Sequence, residues 1–256
     1  MKKTMARAHS LELTPVKVAQ IRLCKAELTY NVDFSTQLWA PVFVYVLRDS
    51  NSSEVDLVDA GFEPDLSDSN TRGGRARLTR ALRRVNVDPE KVRNLILTHL
   101  HNDHSSFLKL FRKARIFLQS TELSYAHNPL PTQRLFYNDS ILNYLEKADV
   151  ELLRGDRRID PGLRILHTPG HTPGSQTVLV DTRGGKYAVC GDTVPMFHNW
   201  FPSNARFGTK VEWPRIPPGG HTDLRAWFDS ARRIEASGSM IIPSHDPRLK
   251  DRKTIR

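Results

Sequence analysis

Three histidines and an aspartate stand within six residues, in His99-Leu100-His101-Asn102-Asp103-His104. At this chain's own frequencies of histidine and aspartate, roughly one sequence in a thousand of this length would carry the pattern by chance. Crowded neutral imidazoles and a carboxylate gain little from one another. Imidazole nitrogen and carboxylate oxygen are, however, preferred ligands of a divalent metal ion. His99 and His101 are two apart, so on extended backbone they face the same way. Asp103 and His104 follow where the strand must turn and can point to a second position nearby. One segment can thus feed two ions. Further ligand types stand after later apolar runs: His171 in Thr168-Pro169-Gly170-His171-Thr172-Pro173-Gly174, Asp192 in Cys190-Gly191-Asp192-Thr193, and His245.

The elements that must position these residues are legible in part. Pro41 to Leu47 is a continuous apolar run that suits a strand covered on both faces. After the polar stretch Asp49 to Ser53, Val55 to Val58 pairs back as a hairpin, ending at Asp59-Ala60-Gly61. Residues 75–85 read as an amphipathic helix, and Asp88-Pro89-Glu90 opens a short one. Val92 to Thr98 is a strand delivering the chain to His99. A short helix at 107–111, a strand at 116–118, a helix at 121–127 and an irregular stretch at 128–143 come next. Strands are expected at 162–168, 177–180 and 187–190, the last two joined by a hairpin through Arg183-Gly184-Gly185. Residues 195–220 read as a long loop of the kind that often carries function. A helix at 224–236 and a strand at 240–242 precede His245. Strands and helices alternate with no linker or short repeat, so residues 1–256 read as one domain, with the polar residues of interest where strands end.

Composition narrows the class. Of 256 residues, 39% are apolar, enough for a core. The formal net charge is +10, but the basic residues are spread along the chain. The densest stretch, Arg72 to Arg84, reads as the wet face of a helix, without the interleaved aromatics of a base-stacking surface. Nucleic acid is therefore not the expected partner. Cys24 and Cys190 match neither a disulfide framework nor a zinc ribbon. Lys2 and Lys3 are followed by no apolar segment of a signal peptide, and no run is long enough to span a membrane. A reducing cytoplasm is the simplest setting.

From about Pro41 to Pro247 the sequence resembles the metallo-β-lactamase fold superfamily. Asp59 matches its acidic residue after an early strand. His99, His101, Asp103 and His104 match its HxHxDH motif, and His171, Asp192 and His245 its later ligands. The resemblance implies an α/β fold, a four-layer αββα sandwich of two mixed β-sheets flanked by helices. It implies that His99, His101 and His171 hold one ion and Asp103, His104 and His245 the other, with Asp192 between them. Asp59 would orient a ligand from behind. Zinc is the usual ion, with iron, manganese or cobalt in related enzymes. The segments Ala40 to Tyr45, Leu118 to Glu122 and Ile165 to Gly174 are most similar to the N-acyl homoserine lactonase group. Three positions depart from that group: Asn102 stands where Phe is frequent, Ser105-Ser106 where Ala-Gly-Gly is usual, and Pro195 where a substrate-contacting Tyr is found.

The chemistry so implied is hydrolysis by a hydroxide held between two metals, attacking an ester-type bond, foremost a lactone, with Asp103 carrying a proton to the leaving oxygen. Asn102, His198, Asn199 and Trp200 are candidate substrate contacts. Trp200, Phe201, Phe207 and Trp213 would give their loop an apolar lining. Thioesters, phosphoesters and phosphotriesters are alternative substrates. A nuclease is disfavoured because no segment reads as a substrate-gripping arm. A di-iron redox protein is disfavoured because His101 stands where that branch carries Glu. A homodimer remains open.

Overall fold

The computed structural model describes residues 10–49, 53–65, 67–202 and 215–256. Its strands form two sheets. In the first, β1 (Leu11–Cys24), β2 (Gln37–Asp49), β3 (Val55–Val58), β4 (Thr71–Arg72), β5 (Val92–Ile96), β6 (Arg115–Gln119) and β7 (Val150–Leu153) lie in the order β4-β1-β2-β3-β5-β6-β7. In the second, β8 (Arg157–Asp160), β9 (Leu163–His167), β10 (Gln176–Thr182), β11 (Gly185–Val189) and β12 (Met240–Ile242) lie in the order β12-β11-β10-β9-β8. The helices are α1 (Arg75–Arg84), α2 (Asn102–Ser105), α3 (Ser120–His127), α4 (Asp139–Leu145), α5 (Phe197–Trp200) and α6 (Leu224–Ala236).

Alternation along the strands builds the layers. In β2, Val42, Val44 and Val46 face outward to Leu78 and Leu82 of α1 and Ile141 and Leu142 of α4. Phe43, Tyr45 and Leu47 face inward and meet Ile165, Val178, Val180 and Val189 of the second sheet. Behind that sheet, Leu179, Ala188, Cys190 and Ile241 pack on Trp227, Ala231 and Ile234 of α6. The result is the αββα sandwich that the resemblance implies. At one end, Arg93 of β5 grips Asp56 of β3 through two hydrogen bonds and also reaches Asp160 of β8, tying the sheets together.

Strands β3, β5, β6 and β7 are mutually parallel, as are β11 and β12. Their carboxyl ends open at the other end of the sandwich, where the histidines lie.

Several expectations need correction. The stretch 128–143 is not irregular: Pro131–Phe136 forms a 3-10 turn, and Asn138 accepts a hydrogen bond from Ser140 N to start α4. The expected loop 195–220 contains α5; Phe207 and Trp213 lie outside the described residues, as does most of the polar turn before Val55. The longest strand, β1, has no counterpart in the pattern-based reading. Its alternation puts Leu11 and Leu13 between the sheets and Val16 under α1; the pairing with β2 then shifts between Lys17 and Ala19, and this bulge lets the adjacent Val18 and Ala19 join the same face as Val16. Among the described residues, no helix is long and apolar enough to cross a membrane.

Cys190 is buried, and burial pushes its thiol well above the ordinary range. Cys24 is half-buried. A chromogenic disulfide reagent at neutral pH should titrate only Cys24 in the native protein and both thiols in denaturant. Rapid reaction of both in the native state would contradict the packing beneath α6.

Candidate metal centre

Each candidate ligand follows a strand. His99 and His101 lie beyond β5, and His101 caps the short helix α2 that carries Asp103 and His104. His171 sits in the β9–β10 connection, Asp192 follows β11 and His245 follows β12. The structure gathers them into two groups, His99 with His101 and His171, and Asp103 with His104, Asp192 and His245. Within each group the donor atoms lie within 4.8 Å of one another.

Asp192 addresses both. Its Oδ1 lies 3.1 Å from His245 Nε2 and 3.3 Å from His104 Nε2, while its Oδ2 lies 3.6 Å from His171 Nε2. Asp103 Oδ2 is 3.4 Å from His245 Nε2 and 3.5 Å from His104 Nε2. Two ligands on one tetrahedral zinc, with bonds near 2.0–2.1 Å, stand about 3.3 Å apart. The spacing here is that of ligands around a common centre.

Hydrogen bonds behind the rings aim them. His171 Nδ1 donates to the Gly220 carbonyl at 2.6 Å, and His245 Nδ1 to the Pro41 carbonyl at 2.9 Å. His104 Nδ1 meets Asp59 Oδ2 at 2.7 Å. A nitrogen that donates to a carbonyl or carboxylate carries a proton, so the Nε2 atoms of all three rings point inward as the ones that can be freed for a ligand bond. His99 Nε2 is buried without a hydrogen-bond partner, which fits a position reserved for a cation. The donor set therefore fits metal in both groups.

The loops achieve this by close backbone approach. A Cβ at Gly170 would lie 2.6 Å from Trp227 Cα, and one at Gly174 would lie 2.3 Å from Glu122 N. The glycines flanking His171 thus let its loop press between α6 and α3. Gly191, at φ +52°, packs on Thr98 in the same way and brings Asp192 beside the histidine run. Asp59 itself has φ +63°, and its carboxylate also accepts from Thr98 N and Thr98 Oγ1.

The sequence profile of the metallo-beta-lactamase superfamily matches residues 38–245. The chain belongs to the metallo-β-lactamase superfamily. An N-acyl homoserine lactonase of a Bacillus species is 34% identical over 106 residues, which span 41% of this chain and 40% of that relative's length. A crystal structure of a quorum-quenching N-acyl homoserine lactone hydrolase is similar with a TM-score of 0.79 at 22% identity, over 98% of this chain and 100% of that one. A dizinc quorum-quenching lactonase in complex with a product is similar with a TM-score of 0.66 at 16% identity, over 94% of this chain and 90% of that one.

The two groups of this superfamily member differ in charge. Burial holds the His99 pKa well below the ordinary value, with His104, His101 and His171 adding to the effect. Burial, then His171, takes His101 down to about 3, and burial also lowers His171. In the second group burial acts the same way on His104 but is outweighed by Asp103, Asp192 and Asp59, so that ring is held well above the ordinary range. His245 is likewise raised, burial being outweighed by Asp192. Burial pushes Asp103 up, yet the facing His104 charge brings its carboxyl down to about 2. Without metal, the first group is neutral and the second retains protons.

The expected substrate contacts separate. Asn102 Nδ2 donates to the Leu135 carbonyl at 3.1 Å, tying α2 to the 131–136 turn. His198, half-buried beside Lys25 and Asp33, joins neither metal group. Asn199 and Trp200 are buried. Asn199 is fully buried; its Oδ1 accepts from Met196 N and its Nδ2 donates to the carbonyls of Leu28, Ile216 and Pro217. It staples the backbone that leads to Gly220. Trp200 packs among Cys190, Val194 and Trp227.

What the sequence reading missed is the 130–137 stretch. Leu135 is 87% exposed and Phe136 49%, and the Phe136 ring lies 5.1 Å from that of His101. The aromatic pair Phe136-Tyr137 after Pro131 was the available signal.

Raised pKa values at His104 and His245 contribute stability to the metal-free protein that is present below the unfolded-state value and lost as pH rises through the folded-state values. Zinc replaces those protons. The rise in Tm on adding zinc should therefore grow between about pH 6 and about pH 8. A rise that shrinks over that window would contradict the protonation assigned to the second group.

Proposed function

We propose that the protein is a metal-dependent hydrolase with a dinuclear site, acting on an ester-type bond and most specifically on a lactone with an acylated amino group. The observation that carries the reading is Asp192, whose two oxygens face the two ligand groups separately. Two divalent ions held there would supply Lewis acidity toward a carbonyl oxygen and a water acidified to neutral pH. His99, His101 and His171 would hold one ion, Asp103, His104 and His245 the other, and Asp192 both.

The remaining steps belong to the chain. Asp59, the Gly220 carbonyl and the Pro41 carbonyl keep three imidazoles in the tautomer that offers Nε2. Asp103 has the most exposed ligand side chain of the second group, at 18%. That places its carboxylate where a leaving oxygen can pass a proton to it. Leu135 and Phe136 present apolar surface beside His101, which suits an acyl tail. Support for the lactone comes from the lactonase relative and from fold neighbours that act on N-acyl homoserine lactones.

A proton-release assay on zinc-loaded protein with N-acyl homoserine lactones should show ring opening. Asp103→Asn should lower kcat by about a hundredfold or more. Phe136→Ala should raise KM for a long acyl chain roughly tenfold while kcat changes little, since it removes uniform binding worth about 1.4 kcal/mol. No lactone turnover beside strong thioester or phosphotriester turnover would overturn the substrate reading and leave the metal site intact.

A further inference from the structure

Glu122 lies outside the ligand set and is fully buried in the first turn of α3. Its two oxygens divide their partners. Oε1 accepts from Leu100 N at 2.9 Å and from the Tyr137 hydroxyl at 3.3 Å. Oε2 accepts from Thr172 Oγ1 at 2.6 Å and from Gly174 N at 3.2 Å. Leu100 stands between His99 and His101, and the Tyr137 ring stands edge-on to His101 with centroids 4.9 Å apart. Thr172 follows His171 directly. One oxygen thus anchors the segment carrying two histidines of the first group, and the other anchors the loop carrying the third.

The fit is tight on the far side as well. Gly174 lies so close that a Cβ there would sit 2.3 Å from both Glu122 Cβ and Glu122 N. In the second group the Pro41 carbonyl stands behind His245 and Asp59 behind His104, and Asp59 also holds Thr98, whose hydroxyl lies 3.2 Å from His99 Nδ1. Burial raises the Glu122 carboxyl, and its four donors work against that rise.

We infer that Glu122 is a positioning residue for one ion only: it sets the distance between the His99–His101 segment and the His171 loop, and so the zinc affinity of the three-histidine group, without acting on the carboxylate-bearing group. It rests on the two-ion reading above. No ligand atom comes from Glu122. Its effect runs through the main chain at Leu100 and Gly174, the Thr172 hydroxyl and the Tyr137 ring. Such outer partners commonly account for 10–100-fold in metal affinity.

The test isolates each group in the full chain. Asp103→Ala with His245→Ala leaves the three-histidine group, and His101→Ala with His171→Ala leaves the other. Zinc affinity is read by competition with a chromophoric chelator, and folding by circular dichroism and thermal melting. Adding Glu122→Gln should weaken zinc about tenfold or more in the first background and less than about twofold in the second. Asp59→Asn, which reaches His104 directly and His99 through Thr98, should weaken zinc in both backgrounds. Thr172→Val, which removes one of the four bonds, should weaken zinc severalfold in the first background alone, and it decides the matter if Glu122→Gln fails to fold. A parent chain that binds two zinc ions, with Glu122→Gln and Thr172→Val affecting both groups equally or neither, overturns this inference and spares the two-ion reading. A parent chain that binds no zinc overturns both.

Discussion

Five imidazoles and two carboxylates must be kept within reach of common centres at one end of the sandwich. Neutral rings buried edge to edge, such as His99 and His101 with centroids 4.6 Å apart, gain little attraction from each other. Their unpaired lone pairs are costly to bury. A cation converts that cost into binding, and the fold must hold the ligands close before any cation arrives. The apolar clusters between and outside the sheets supply the rigidity for this. They fix strand ends to which every ligand loop is attached over only a few residues.

The loops are braced by acceptors that are remote in the sequence. Asp59 follows β3, Pro41 lies within β2, and Gly220 sits beyond Asn199, whose amide holds the same stretch of backbone. Glycines allow the contact: Gly170 on Trp227, Gly174 on Glu122 and Gly191 on Thr98. The two ligand groups face Asp192 from two sides; Asp59 touches both, while Glu122 braces only the first and the Pro41 carbonyl only the second. A change in one support can be felt by one group alone.

Much of this was legible in the sequence, for identifiable reasons. The ligands could be read because their residue types have few other reasons to cluster, and because the apolar stretches of β5, β11 and β12 end a few residues before them. The Thr-Pro-Gly-His-Thr-Pro-Gly loop showed its tightness in its composition. Strand β1 was hidden because its bulge breaks the alternation that pattern reading relies on. Asn199 looked like a substrate contact because it stands in a polar, aromatic loop, whereas its amide is consumed by backbone carbonyls 17 to 171 residues away. Glu122 gave no signal of its own. A carboxylate in the first turn of a helix is ordinary there, and only the fold reveals that its partners belong to two histidine loops. Phe136 was visible as an aromatic but not as a neighbour of His101, since nothing local links positions 101 and 136.

The proposed dinuclear site requires Asp192 to join two ions. The most direct measurement is the low-temperature electron paramagnetic resonance spectrum of the manganese(II)-loaded protein. Two ions sharing the Asp192 carboxylate should give an exchange-coupled spectrum that loses intensity on cooling, and Asp192→Ala should abolish it. The uncoupled hyperfine pattern of isolated ions at full loading of the unaltered protein would contradict the account.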